Sequence, residues 1–301
     1  MAEWRLKLLV DGTVGASAIA LVRAVKLMDR RHAANFAGAL LRKVGPLFKE
    51  HRLGRDNLRA AFPEKSDAEI ENILAGVWDN LGRLAVEFAH LDEFKLVSDD
   101  PAAPDVITYS PQTRERGEHI VETGKASIGF AAHLANWELP ALGAKLMGIK
   151  SAVLYRRPNI RAISDAVVRL RAPLMGELVA TGLDAPVKLA RLLHAGVHVG
   201  MLVDQHYTKG VEVNFFGRPC RTNPLIALLA RQTECPIYGM RVVRQGDGNS
   251  FFGEITDPIE PARDASGRVD IQPTMQRITA VVEGWVREYP EQWLWLHRRW
   301  R

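Results

Sequence analysis

The chain has 301 residues, of which 47% are hydrophobic and 25% charged, and its net charge is +5. These proportions are those of a globular protein, and they exclude a disordered tail, a collagen-like chain and a multi-span membrane protein. The two cysteines, Cys220 and Cys235, are too few for a disulfide scaffold or a cysteine-rich zinc module, so a reducing compartment fits best.

The first 60 residues are basic, with 12 Lys and Arg against 5 Asp and Glu, whereas the other 241 residues sum to −2. No run of 18 apolar residues occurs, so no segment is long enough to span a bilayer core of about 30 Å. One stripe of apolar residues has helical spacing instead, and it consists of Val14, Ala18, Leu21, Val25 and Met28. Arg23, Lys26 and Arg30 lie on the opposite side of the same helix.

This pattern favours a basic amphipathic helix that lies on an anionic membrane surface. The alternative is a surface helix that packs on the core and leaves its basic face in water. Nucleic acid is a weaker candidate, because the region has no helix-turn-helix turn, no zinc-finger spacing and no aromatic residues among the basic ones.

The rest of the chain alternates between helical and strand patterns. Ser66 and Glu69 form a capping box at the start of a long helix. Strands are predicted over Ser127–Ala132, Ser151–Tyr155, Val197–Val203 and Pro236–Val243, with a hairpin turn at Gly246–Asn249. Helices are predicted over Ala162–Met175, Ala185–His194, Asn223–Gln232 and Gln272–Glu288.

This alternation predicts an α/β fold in which helices flank a mixed, largely parallel sheet. We expect residues 1–60 to form a membrane-associating helical segment. Residues 61–301 are expected to form a single catalytic domain with a helical cap.

Several mechanisms lack their sequence motifs. There is no GxSxG serine motif, no P-loop, no GxGxxG at a strand-to-helix junction and no HExxH. His194 and His198 are four residues apart, but Gly196 marks a helix end between them, so no metal site is expected.

The segment His133-Leu-Ala-Asn-Trp-Glu138 places a carboxylate five residues after a histidine. On a regular helix or strand these two side chains would not share a face, so they meet only where the chain turns. A strand that ends at Ala132 and a helix that begins near Asn136 would provide such a turn. The pair could then act as a general base, although a structural turn is an equal alternative from the spacing alone.

Other polar residues follow the predicted strands. Arg156 and Arg157 follow the second strand, Arg169 and Arg171 lie on the next helix, and Asp204 and Gln205 follow the third strand. Arginines at strand ends suit phosphate or carboxylate recognition, or they are solvated charges at the rim.

The ordered segments HLANWE, YRRPN, VDQ and FFGRP, together with HRLGRDNLRAAFPE near the start and YPEQWLWLHRRW at the end, cover nearly the whole chain. In this order the chain resembles the lipid A biosynthesis acyltransferases of the lauroyl and myristoyl transferase type, within the wider glycerolipid acyltransferase fold. Family members often carry a more hydrophobic N-terminal anchor. The glycines and arginines in this segment favour an interfacial helix over a spanning one.

The resemblance implies transfer of a fatty acyl group from acyl carrier protein to a hydroxyl of a Kdo-bearing lipid A precursor, at the cytoplasmic face of a Gram-negative inner membrane. It implies no resident cofactor, since the donor carries its own phosphopantetheine. His133 would be the base, and Glu138 would hold it in the correct tautomer. Asn136 or backbone N–H groups of the turn would stabilise the oxyanion.

The remaining candidate positions follow from the same resemblance. Arg156, Arg157, Arg169 and Arg171 would bind phosphates, and Asp204 and Gln205 would lie near the active site without an assigned role. The open alternatives are an acyltransferase for another glycolipid, such as a phosphatidylinositol mannoside, a thioester hydrolase, and a membrane-surface binding protein without turnover.

Overall fold

Strands and helices alternate along most of the chain, as the sequence pattern predicts. A computed structural model describes residues 15–17, 19–96, 106–158 and 160–300. Its strands are β1 (Lys95–Leu96), β2 (Val106–Tyr109), β3 (Ile128–Ala131), β4 (Ser151–Tyr155), β5 (Glu177–Ala180), β6 (His198–Leu202), β7 (Val211–Phe215), β8 (Arg218–Thr222), β9 (Ile237–Gln245) and β10 (Ser250–Ile255).

The helices cover both faces of the sheet and form the N-terminal region. A first helical stretch, α1, covers residues 19–26. The others are α2 (Arg30–Val44), α3 (Lys49–Ala61), α4 (Asp67–Glu87), α5 (Pro111–Glu122), α6 (Leu139–Leu146), α7 (Arg161–Arg171), α8 (Ala185–His194), α9 (Leu225–Thr233) and α10 (Ile271–Glu288). Short 3₁₀ turns occupy Gly45–Leu47, Phe88–Glu93 and Pro290–Gln292.

Eight strands form one sheet in the order β1-β2-β10-β9-β3-β6-β4-β5. All neighbouring pairs are parallel except β9 and β10, which form an antiparallel hairpin. Gly246 and Gly248 have positive φ angles in the turn between them, which confirms the predicted hairpin. The α/β fold with a largely parallel sheet is therefore confirmed.

The central strand β3 is buried along its whole length, as a parallel strand covered on both faces should be. β6 lies beside it in parallel register, so the segments that follow both strands emerge at the same edge of the sheet. Ligand sites of open α/β sheets lie at such an edge.

The helix α3 of the N-terminal region packs against the main hydrophobic core. The predicted capping box is present, because the Ser66 and Glu69 side chains bond reciprocally to backbone N–H groups at the start of α4. On α3, Leu58 is fully buried in the main core, and Asn57 donates to the carbonyls of Trp295 and His297, each at 2.9 Å. The boundary expected near residue 60 thus falls on a helix whose side chains pack into the core.

Part of the predicted apolar stripe lies in the described region. Val14 and Ala18 lie outside the described residues. Leu21 and Met28 are exposed, whereas Val25 packs against a small cluster between α2 and α4. No helix in the described parts of the chain has the length and apolar character needed to cross a bilayer.

Three local predictions differ from the structure. The segment around Phe215–Pro219, for which the sequence predicts no strand, forms the hairpin β7–β8, with positive φ at Phe216 and Gly217. The helix expected from Asn223 begins at Leu225, and the Asn223 side chain accepts from the Leu225 N–H at 3.1 Å. The helix expected to run to Met175 ends at Arg171, and β5 follows it.

Candidate active site

His133 lies just beyond the end of β3, where the chain makes a tight turn before α6. The turn is possible because Ala135 adopts a left-handed conformation with φ of 47°, and its N–H donates to the Gln292 carbonyl at 2.8 Å. Leu134 also forms a β-bridge with Trp293. The turn expected between the histidine and α6 is present, and the C-terminal segment holds it in place.

The His133 side chain pairs with Asp204, which follows the neighbouring strand β6. The His133 Nδ1 atom is 2.8 Å from Oδ1 of Asp204, and the His133 backbone N–H donates to Oδ2 at 2.8 Å. Asp204 is buried, so solvent can reach this pair from the side of the imidazole that points away from Asp204. The two residues are 71 positions apart in the chain and meet because β3 and β6 are adjacent.

Asp204 is held in its ionised form. Burial on its own would raise the pKa of this carboxyl, but the charge of His133 and the hydrogen bonds from His133 hold the pKa well below its ordinary value. Trp293 contributes a further donor, because its Nε1–H donates to Oδ2 at 2.7 Å. When the His133 ring is neutral, the ionised carboxylate holds its single proton on Nδ1, and Nε2 then has a lone pair.

The free lone pair on Nε2 faces an amide donor. Nε2 of Gln205 lies 3.2 Å from Nε2 of His133, which is the geometry of an N–H donating to an accepting ring nitrogen. Gln205 is exposed, so a hydroxyl that enters the site can take its place on His133. This arrangement is that of a general base: an oriented imidazole with an accessible acceptor nitrogen.

The carboxylate that bonds to the His133 ring in this structure is that of Asp204, and not that of Glu138 as expected. Glu138 stands at the N-terminal end of α6, where its carboxylate binds Arg171 from the end of α7 in a bidentate ion pair. One bond of that pair, from Nε of Arg171 to Oε2, measures 2.8 Å. The turn at Ala135 lets the His133 ring reach Asp204 at the end of β6. The same turn directs Glu138 toward Arg171 on α7. Both Glu138 and Arg171 nevertheless line the same cavity as His133.

Asn136 is not available as an oxyanion donor. It is fully buried, and its amide donates to Oε2 of Glu87 at 2.9 Å while its Oδ1 accepts from the Glu138 N–H at 3.2 Å. Glu87 is itself fully buried and forms a bidentate pair with Arg244. Asn136 therefore connects the turn after His133 to a buried ion pair.

The backbone N–H groups of the first three residues of the turn, which are among the expected alternative donors, are also engaged. Those of His133, Leu134 and Ala135 donate to Asp204, to the Ala132 carbonyl and to the Gln292 carbonyl respectively. The Gln205 amide is a donor that lies on the cavity side, beside Nε2 of His133.

The four candidate arginines divide into two groups. Arg156 and Arg171 line the cavity next to His133, and Lys209 lines it as well. Arg157 and Arg169 are exposed and do not belong to the cavity lining that the structure describes. The structure thus brings together Arg156, Arg171, Glu138, Gln205 and His133, and separates the other two arginines from them.

The cavity beside His133 is large and mostly apolar. Its volume is about 1120 Å³, above the usual range for small-molecule sites. It extends from the carboxyl ends of the strands along one face of β3, β4 and β6, beneath α6. Trp137 stands at its catalytic end, with its ring centroid 5.0 Å from that of His133.

Two contributors to the site were not assigned roles from the sequence. Asp204 was placed at a strand end without a function, and Trp293 was noted only as part of a C-terminal segment. An aspartate directly after a buried strand is the signal that could have identified the first, since β3 and β6 end at one edge. Nothing in the spacing indicates that a tryptophan 160 positions from His133 donates to the same carboxylate.

No metal-binding cluster is present in the described ranges: no group of three or more His, Cys, Asp or Glu side chains there could hold an ion.

Two comparisons with known proteins bear on identity. No curated protein matches the chain. The family model described as bacterial lipid A biosynthesis acyltransferase matches residues 3–301, nearly the entire sequence. The chain belongs to the bacterial lipid A biosynthesis acyltransferase family.

Proposed function

We propose that this acyltransferase moves a fatty acyl chain from acyl carrier protein to a hydroxyl of a Kdo-bearing lipid A precursor. The observation that carries the proposal is an oriented general base, His133, at one end of an apolar cavity of about 1120 Å³, in a chain of this family. The acyl group arrives as a thioester of phosphopantetheine, so the reaction needs no resident cofactor.

His133 acts in this proposal as the base for direct attack. Its Nε2 takes the proton of the acceptor hydroxyl while the hydroxyl oxygen attacks the thioester carbonyl carbon. The new C–O bond forms, the C–S bond breaks, and the proton on Nε2 passes to the departing thiolate. Ionised Asp204 stabilises the imidazolium that exists between these two transfers. A general base of this kind contributes about 10²–10⁴-fold in rate.

Gln205 is our candidate for stabilising the oxyanion. Its amide lies 3.2 Å from the nitrogen that the acceptor hydroxyl must approach, so a small rotation aims it at the adjacent carbonyl oxygen. Loss of one such donor typically slows an acyl transfer about 10²–10³-fold.

Arg156 and Lys209 are candidates for binding phosphate, either on the phosphopantetheine arm or on the lipid A precursor. Both line the cavity and both are exposed, so their charges remain available to a ligand. The charge of Arg171 is already neutralised by Glu138. Arg171 is therefore a poorer candidate for binding an anion, and we assign it to the wall of the cavity. Arg157 and Arg169 remain candidates for contacts outside the cavity.

The test is acyl transfer by the full chain from a series of acyl-acyl carrier proteins to a Kdo-bearing lipid A precursor, followed by mass spectrometry. We expect a mass gain of one acyl chain, and its loss in His133→Ala. Free fatty acid released without the acceptor would show a thioester hydrolase instead. Acylation of phosphatidylinositol mannoside but not of the lipid A precursor would overturn the proposed acceptor and leave the proposed base in place.

We also propose that the N-terminal helices place the enzyme on the cytoplasmic face of an inner membrane. Apolar side chains project from the turn between α1 and α2 and from the turn before α3: Leu27 is 89% exposed and Leu47 is 84% exposed. Lys49, next along the chain from this turn, has an exposed side chain. Exposed apolar residues beside cations suit the interface of an anionic bilayer.

Replacing Leu27 and Leu47 together by serine should weaken binding to vesicles that contain anionic lipid, because burial of a leucine contributes about 1.5–3 kcal/mol. The loss is expected to be at least tenfold in a sedimentation assay. Val121→Ser on α5 is the matched control, since Val121 is also exposed but lies on a different helix. Equal sedimentation of the double variant and the control would contradict this membrane face.

A further inference from the structure

The floor of the apolar cavity is a regular array of side chains on three adjacent strands. Register pairs across β3, β6 and β4 place Gly129 beside Gly200 and Gly200 beside Val153. Ala131 and Leu202 form a pair two residues nearer the carboxyl ends of these strands, where His133 lies. All of these residues line the cavity. The floor of the cavity thus runs from the carboxyl ends of the strands, beside His133, toward their amino ends.

Two neighbouring glycines occupy the middle of this floor. Neither needs glycine for its backbone, because both lie within regular strands and neither has a positive φ. Glycine in a strand interior is less favourable than alanine, and it often marks a place where a ligand approaches the sheet. A Cβ built on Gly200 meets no atom within 4 Å, and one on Gly129 meets the Met240 side chain at 3.4 Å and the Val199 carbonyl oxygen at 3.7 Å.

The far end of the floor is polar. His198 begins β6 and pairs with Ser151 on β4, and its Nδ1 accepts from the Ser127 N–H at 3.2 Å and lies 2.8 Å from Ser127 Oγ. Ser127, Ser151 and His198 line the cavity at the end opposite His133. Burial lowers the pKa of His198 and favours its neutral form. An acyl chain that enters at His133 therefore crosses the glycines before it reaches this polar row.

The distances locate where a chain would meet the glycines. Gly129 precedes His133 by four residues, which is about 13 Å at about 3.3 Å per strand residue. A saturated chain advances about 1.25 Å per carbon, given bonds of about 1.5 Å and angles of about 111°. The glycine pair therefore lies beside roughly the tenth carbon of a bound acyl chain.

We propose that Gly129 and Gly200 determine how long an acyl chain this enzyme accepts, by leaving open the part of the groove beyond about the tenth carbon. The polar row of Ser127, Ser151 and His198 forms its far limit. This inference rests on the proposed function, since it assumes that the cavity holds the acyl group of the donor.

The test is binding of acyl-pantetheine thioesters of increasing chain length, measured by calorimetry on the full chain. For the parent protein, affinity should rise about fourfold for each added carbon until the chain reaches the polar row, because each carbon buries apolar surface. In Gly200→Val the rise should stop near the tenth carbon, and longer chains should bind at least about tenfold more weakly than to the parent, because the valine overpacks an occupied groove.

Gly284→Ala is the matched control, since a Cβ at Gly284 also meets no atom within 4 Å but the residue lies exposed on α10. Its affinity profile should equal that of the parent. Gly200→Ala is the smaller change, and its affinity profile should lie between those of the parent and of Gly200→Val. This variant keeps the test valid if the valine variant does not fold.

An unchanged profile in both Gly200 variants would overturn the inference and leave the proposed function intact. A parent protein whose affinity does not depend on chain length would also overturn it. Absence of acyl transfer by a parent protein that shows the expected binding profile would instead count against the proposed function alone.

Discussion

Asp204→Asn should reduce kcat for acyl transfer by about 10⁴-fold, the loss that the same change causes at the aspartate of a serine-protease triad. The carboxylate accepts three hydrogen bonds, from the His133 ring, the His133 N–H and the Trp293 indole. An amide replaces one oxygen by a donor, so it cannot accept all three. The imidazole would then turn its lone pair toward the amide and present a proton at Nε2, where the base must be free.

The measurement is a steady-state rate with acyl-acyl carrier protein and lipid A precursor, together with a thermal unfolding curve to establish that the variant is folded. Glu138→Gln is the decisive comparison. If Glu138 were the residue that orients His133, its variant would show the large loss and Asp204→Asn would retain a rate within a few-fold of the parent. The structure leads us to expect the reverse order.

Two further variants separate catalysis from structure. Trp293→Phe removes one donor to Asp204 but leaves the pairing with His133 intact, so its effect on kcat should be much smaller than that of Asp204→Asn. His133→Ala combined with Asp204→Asn should be no slower than His133→Ala alone, because residues that act as one unit are not additive.

Glu87→Ala should destabilise the protein by about 3–5 kcal/mol, the usual loss when one partner of a buried ion pair is removed. Glu87 is fully buried, and both of its oxygens bind the Arg244 guanidinium, while Asn136 donates to one of them. Its removal leaves the buried Arg244 guanidinium without a carboxylate partner and the Asn136 amide without the acceptor that Glu87 provides. The measurement is urea-induced unfolding followed by circular dichroism.

The matched control is an exposed ion pair. Lys188 and Glu177 are 2.9 Å apart, and both side chains are nearly half exposed. Glu177→Ala should therefore change the free energy of unfolding by less than about 1 kcal/mol. Glu87→Leu combined with Arg244→Met should recover much of the lost stability, because no charge is left buried. A loss below about 1 kcal/mol in Glu87→Ala itself would contradict the structural role of the pair.

The sequence predicts the fold well because the strong signals are local. The strands β3, β4 and β6 are short apolar runs, and each lies within one or two residues of its prediction. The weaker elements were missed for physical reasons. β7 and β8 alternate buried and exposed residues around a Phe-Gly turn, a two-residue signal that is easily taken for a loop.

The catalytic pair shows where sequence reasoning ends. His133 and Glu138 are close in the chain, which makes their pairing the economical hypothesis, but the left-handed Ala135 turns them toward different partners. The true partner of His133 depends on which strand lies beside β3. Strand order is set by packing of the whole sheet, and no local pattern encodes it.

The hydrogen bond from Trp293 to Asp204 has a consequence for how the enzyme acquires activity as it folds. The three residues of this constellation are separated by 71 and 89 positions, so each contact closes a long loop. Contacts of this kind form late relative to helices and hairpins. We therefore expect a refolding chain to regain most of its secondary structure before it regains acyltransferase activity. The return of activity would then report the last step of folding.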